Sequence, residues 1–202
     1  MLDSNYPPKR GFTSSEFEIR LIKAHKIMHK HQLDVLLLTM PANIRYFSGF
    51  DTQFLHSPTR PWFLVIPFGE EPIAVIPEIG KSVMQSTWIK NISTWHSPNP
   101  KDDGISLLSS IINEKNGKNN RVGAELGREM SLRMPLIDFN ILKIKTNSEI
   151  VDGSPAIWEV RMTKTEAEIT HINHICKITS QAYNDLPNFL KIGETEKDVA
   201  DK

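Results

Sequence analysis

His25 and His29 stand four residues apart and His31 follows, so on a helix two imidazoles would share a face and could share a metal ion. The residues between them are Lys26, Ile27 and Met28. The glutamate of a His-Glu-x-x-His protease motif is therefore absent, and Lys26 and Lys30 add positive charge that opposes a cation. A solvated helix face is the expectation for this group. His171 and His174, three apart, could chelate in the same way, but no carboxylate partner is fixed by spacing, and they too are expected on a helix surface. Asp102-Asp103 and Glu70-Glu71 fall where a helix N-terminus and a turn are expected, positions at which dipole or water stabilises a carboxylate. The single cysteine, Cys176, belongs to an apolar helical stripe and has no local activator. No G-x-G-x-x-G, P-loop or serine nucleophile elbow is present, so no nucleophile is expected within these residues.

The loop from Asp51 to Trp62 offers different chemistry, because it mixes polar and aromatic groups between a short helix and a strand. Arg60 stands there between Thr59 and Pro61, and a guanidinium fork can clamp a carboxylate through two parallel hydrogen bonds. Asp51 is the competing partner, since a local ion pair would occupy the same group.

The elements that must position this loop follow from periodicity. Thr13-Ser14-Ser15-Glu16 has the form of a capping box, and Phe17, Leu21, Ala24 and Met28 then recur on one face, predicting a helix over 14–31. The unbroken apolar run Asp34 to Thr39 reads as a buried central strand. Asn43 to Gly49 reads as a short helix with an asparagine cap and a glycine stop, and 62–67 and 73–77 as an antiparallel hairpin around Gly69-Glu70-Glu71. Further on, helices are expected at 80–88, 103–114 and 131–139, and strands at 92–95, 121–125 and 141–145. This alternation predicts an α/β domain with a mixed sheet.

The domain is expected to span 13–155, after a flexible arm at 1–12. From 156 a second domain begins. Thr165-Glu166-Ala167-Glu168 caps a long helix whose stripe runs from Ile169 to Leu190 and which ends at Gly193, and Thr195 to Asp198 would cap another helix just before Lys202. A stripe without a partner layer leads to the expectation that the chain stops inside this second domain, at 156–202.

Composition narrows the function. The 202 residues carry 24 Lys+Arg against 24 Asp+Glu with no basic cluster, so nucleic acid is not an expected partner. One cysteine excludes an internal disulfide, and neither a signal peptide nor a membrane span is visible, so a cytoplasmic protein is expected.

Taken in order, Asp34 to Thr39, then Pro41 to Phe50, then Arg60-Pro61 before a strand, then Arg161 to Ile169, resemble the creatinase/prolidase family, the pita-bread metallohydrolases that include Xaa-Pro dipeptidases, Xaa-Pro aminopeptidases and creatinase. Gly193-Glu194-Thr195-Glu196 resembles a turn between the first two helices of that family's catalytic domain. The resemblance implies a three-layer α/β/α N-terminal domain of ribonuclease H-like topology, followed by the start of a truncated pita-bread domain. It also implies a homodimer, in which this non-catalytic domain shapes the neighbouring subunit's active site. No metal is expected in this chain itself, whereas two divalent ions such as Mn or Co are expected in a full-length peptidase, with ligands beyond Lys202. Arg60 matches the creatinase arginine that holds the substrate carboxylate, acting in trans, but Pro58 stands where creatinase has an aromatic, which favours an Xaa-Pro peptide as substrate. A creatinase-like amidinohydrolase, or a catalytically inactive interaction module of the same fold, is the alternative.

Overall fold

The computed structural model describes residues 8–57 and 60–201. The expected arm therefore lies largely outside the described residues, as do Pro58, Thr59 and Lys202. Two compact units are present, Gly11–Thr163 and a smaller one that begins at Lys164.

The larger unit is built on six strands in the order β4-β3-β2-β1-β5-β6. They are β1 (Val35–Leu38), β2 (Phe63–Pro67), β3 (Ile73–Pro77), β4 (Asn91–Trp95), β5 (Arg121–Ala124) and β6 (Glu149–Asp152). β1 runs antiparallel to β2 and parallel to β5, so the sheet is mixed, and the hairpin β2–β3 is antiparallel as its turn residues require. β3–β4 and β5–β6 are parallel pairs joined through helices.

Continuous apolar strands are covered on both faces, because successive side chains alternate. Leu36 and Leu38 join one core with Leu21, Ala24 and Met28 of α1 (Ser14–His31), Ile44 and Phe47 of α2 (Pro41–Ser48), Met84 of α4 (Lys81–Gln85) and Ile157 and Val160 of α7 (Ser154–Met162). Val35 and Leu37 join the other with Leu108, Ile111 and Ile112 of α5 (Ile105–Lys115) and Leu142 of α6 (Leu136–Lys145). The result is the expected three-layer α/β/α arrangement.

Several local expectations change. Thr13 is the N-cap of α1, but its hydroxyl meets Ser15 at 2.8 Å and the Glu16 carboxylate pairs with Arg20 at 3.3 Å, so the reciprocal capping box is not made. Arg20 lies on the buried face of α1. Its guanidinium sits over the rings of Phe12 (4.0 Å) and Tyr46 (4.3 Å) and donates to the Tyr46 carbonyl at 2.7 Å, tying α1 to α2. The cap of α2 is Met40, with Pro41 in the first turn, and Asn43 lies inside the helix; Gly49 does stop it, at φ +73°. The expected helix 131–139 and strand 141–145 are replaced by the one helix α6, and the last strand is β6 at Glu149–Asp152, inside the stretch expected to close the domain. At that edge Gly123 and Gly153 approach so closely that a Cβ on Gly153 would lie 2.7 Å from the Gly123 carbonyl carbon.

In the smaller unit, Thr165 and Glu168 form the predicted capping box of α8 (Glu166–Phe189), and Thr195 and Asp198 form that of α9 (Glu196–Ala200). α8 ends at Leu190 rather than at Gly193, which adopts φ +95° in the following turn.

Candidate functional site

The parallel strands β1 and β5 end side by side, and the carboxylate of Glu125, 1% exposed, ties the chain leaving one strand to the chain leaving the other. Its Oε2 accepts the backbone N–H of Thr39 (2.7 Å), the Thr39 hydroxyl (2.7 Å) and the backbone N–H of Met40 (2.8 Å), and its Oε1 accepts the Asn43 amide at 2.5 Å. Arg161 of α7 donates to Asn43 Oδ1 at 2.6 Å. A carboxylate can be buried only if such bonds replace its hydration, and this one is sealed from any ligand. Its chemistry is positional: it fixes the turn from β1 into α2.

A cleft of about 340 Å³ opens beside this network, lined by Arg60, Pro61, Asp103, Leu132, Arg133, Met134 and Pro135. Ligand sites of open α/β sheets concentrate at such carboxyl ends of strands. Arg133 is anchored at both ends. Its backbone N–H donates to Thr39 Oγ1 at 2.9 Å, and its guanidinium donates to the carbonyls of Leu55 (2.9 Å) and Ser57 (3.0 Å) at the end of α3 (Gln53–His56). The loop carrying Arg60 is thus clamped to the strand ends. Asp51, the competing partner of Arg60, is instead held by Arg45 at 3.0 Å and His56 at 3.2 Å. Among the described residues Arg60 makes no ion pair, and its half-buried side chain borders the cleft.

The histidines behave differently from a metal pair. His25 is half-buried rather than fully solvated; its Nε2 hydrogen-bonds the Pro67 carbonyl at 3.1 Å, and burial holds its pKa below the ordinary 6.5 despite that bond. His29 packs on Phe68, and His31 meets Glu159 at 2.8 Å. Glu159 is held below the usual carboxylate range by hydrogen bonds from Lys30 and His31. His171 and His174 lie partly exposed on α8, and Cys176 is exposed there. Glu70 and Glu71 pair with Lys115 and Lys90, each at 2.8 Å, and Asp102 accepts the Ser106 N–H at 3.2 Å near the start of α5. Among the described residues no three His, Cys, Asp or Glu side chains converge as metal ligands, so the side chains present do not fit a metal centre.

A family model, the creatinase/prolidase N-terminal domain, matches residues 20–163. The chain belongs to the creatinase/prolidase family. A hydrolase/peptidase of Sinorhizobium fredii, y4tL, is 27% identical to this creatinase/prolidase N-terminal domain over 198 residues, covering 93% of the chain and 48% of that protein. Among solved structures, dipeptidase PepE from Mycobacterium ulcerans superposes with a TM-score of 0.72 at 21% identity, over 94% of this chain and 48% of that one. The prolidase from Thermococcus sibiricus gives 0.74 at 17% identity, over 95% and 48%. The chain thus spans about half the length of the curated relatives it matches, and at these identities the structural neighbours carry the fold. No helix among the described residues is long and apolar enough to cross a membrane.

The sequence singled out Arg60, which borders the cleft, but did not reveal Glu125, Asn43, Arg133 and Arg161 as one network. The only local signal was a carboxylate directly after an apolar strand; its partners at Thr39 and Asn43 are more than 80 residues away.

Proposed function

We propose that this chain is the non-catalytic N-terminal domain of a longer metal-dependent Xaa-Pro peptidase, serving dimerisation and forming part of the neighbouring subunit's active-site wall. The observation that carries this reading is the family match over residues 20–163 in a chain that spans half of its hydrolase and peptidase relatives. The cleft supplies suitable chemistry. Arg60, unclaimed by Asp51, offers a fork for the C-terminal carboxylate of a short peptide, while Pro61, Leu132, Met134 and Pro135 offer apolar contact for a prolyl ring. Two divalent ions and the groups that activate water would belong to the remainder of the longer protein, and this domain would position substrate and exclude solvent.

The test is a parallel assay of this chain and the full-length protein on an Xaa-Pro dipeptide and on creatine, with Mn²⁺ added and then chelated. Metal-dependent dipeptide cleavage by the full-length protein alone is the expected result. Hydrolysis by the isolated chain would overturn the non-catalytic role, and metal-independent turnover of creatine would move the protein to the amidinohydrolases.

A further inference from the structure

The parallel strands β1 and β5 also begin side by side, and a second cleft, of about 360 Å³, opens there, at the opposite end of these strands from the Arg60 cleft. Asp34, directly before β1, forms its floor and is only 5% exposed. Its Oδ1 accepts the Asn119 amide at 2.9 Å and its Oδ2 the backbone N–H of Arg121 at 3.3 Å. A carboxylate has about four acceptor positions, and a buried one requires a cation or a full set of donors. Glu125 collects four donors, whereas Asp34 has two and joins no ion pair among the described residues. The Arg121 guanidinium turns instead to the His31 carbonyl at 3.0 Å and to Glu149 at 3.7 Å. Lys115, which also lines the cleft, is taken by Glu70 at 2.8 Å and Glu114 at 3.4 Å.

The walls around this carboxylate are apolar and aromatic. Leu33 lies on one side, and the Phe68 ring, 45% exposed, borders the mouth with the imidazoles of His25 and His29 packed around it at 6.0 and 6.1 Å between ring centroids. An open phenyl face near an unmatched carboxylate attracts organic cations, since ring quadrupole and charge act in the same direction. Gly117 keeps the carboxylate uncovered, because a Cβ there would stand 2.6 Å from Asp34 Oδ1. The volume suits a single ring with a polar head. Lys118 stands exposed at the rim and joins no ion pair among the described residues, so its flexible ammonium can move aside into solvent.

We propose that this cleft binds a small flat organic cation bearing N–H donors, of the arylamidinium class, with its N–H groups on Asp34 and its ring against Phe68. Two N–H groups on one head would fill the acceptor positions that Asn119 and Arg121 leave open, in the forked geometry a carboxylate favours. The site is separate from the Arg60 cleft and does not rest on the peptidase reading.

The test is a titration of the 202-residue chain with benzamidine, followed by amide NMR shifts, with circular dichroism to confirm the fold of every variant. Saturable shifts centred on Phe68 and on 117–119 are expected, with a Kd of about 0.1–1 mM, the range suited to a ligand of one ring and one polar head. Benzoate has the same shape and the opposite charge, and should bind at least about 10-fold more weakly. Asp34→Asn should weaken benzamidine at least about 10-fold and Phe68→Ala about 3- to 10-fold. Lys118→Ala should leave the cation unweakened or tighten it. Phe68 and Lys118 are exposed, so their variants carry the test should Asp34→Asn fail to fold. Absence of saturable shifts up to about 10 mM benzamidine overturns the proposal. Tighter binding of benzoate that is lost on Lys118→Ala also overturns it and makes the cleft an anion site, and so do benzamidine shifts centred on Arg60 or unchanged by Phe68→Ala.

Discussion

Thr39 and Glu125, separated by 86 residues in sequence, are joined by two hydrogen bonds of 2.7 Å, one from the threonine backbone and one from its hydroxyl. This junction holds the ends of β1 and β5 together and orients the turn from which the Arg60 cleft opens. Both bonds run to a carboxylate inside the protein, where an acceptor serving several donors is hard to replace.

Glu125→Gln is therefore expected to destabilise the domain strongly. Its amide would turn an NH₂ toward groups that themselves donate, leaving at least one buried N–H or O–H without an acceptor, at a cost of about 2–4 kcal/mol. Urea titration followed by tryptophan fluorescence measures this, and a midpoint equal to wild type would show that the junction adds nothing.

Arg60→Ala should leave stability unchanged, since the side chain makes no ion pair among the described residues. In the full-length protein it should lower kcat/KM about 10- to 100-fold for a peptide with a free C-terminal carboxylate, the loss expected on removing a charge-assisted bidentate contact. The C-terminally amidated peptide should be nearly unaffected. Equal effects on both substrates would take Arg60 out of carboxylate recognition.

Stability should fall as pH drops below neutrality because of His25. Burial lowers its pKa in the folded state, so the unfolded chain binds the proton more tightly. The stabilisation is complete above the unfolded value of 6.5 and is lost as pH falls from there toward the folded value. Thermal melts of wild type and His25→Gln between about pH 7.5 and 5 should converge on acidification. Parallel curves would contradict the assignment.

Glu159 acts in a lower window with the same direction. Lys30 and His31 hold its folded pKa below 4.5, so its contribution is present above that pH and disappears as acid protonates it. Glu159→Gln should abolish that segment of the pH dependence, with little change in the segment governed by His25.

Gly153→Ala should cost about 1–3 kcal/mol, since the new methyl would stand 2.7 Å from the backbone of Gly123 and neither strand end can yield without shifting β5 or β6. Chemical denaturation reads this directly; a stability within error of wild type would mean that the two segments part freely.

The stretch 131–145 shows where local reading reaches its limit. Ile141-Leu142-Lys143-Ile144-Lys145 alternates much as a strand does, and it equally supplies the 137, 141, 144 row of a helix. What separates the two is Leu142 buried against the sheet while its neighbours face solvent, a fact of packing. The strand β6 was obscured for a related reason: it lies at the sheet edge with half-exposed residues and lacks the apolar run that revealed β1.

The α/β alternation, the covered central strands, the α1 stripe, the glycine stop at Gly49 and the family of the protein are all determined by the sequence itself, because each depends on periodicity or on residues close together along the chain. The tertiary structure alone decided that Glu125 would collect donors from Thr39, Met40 and Asn43, that Arg133 would clamp the Arg60 loop, and that α6 would be one helix with an apolar face outward. Those outcomes depend on groups far apart along the chain, or on which side of an element the sheet covers, and buried polar pairing and burial are properties of the assembled layers.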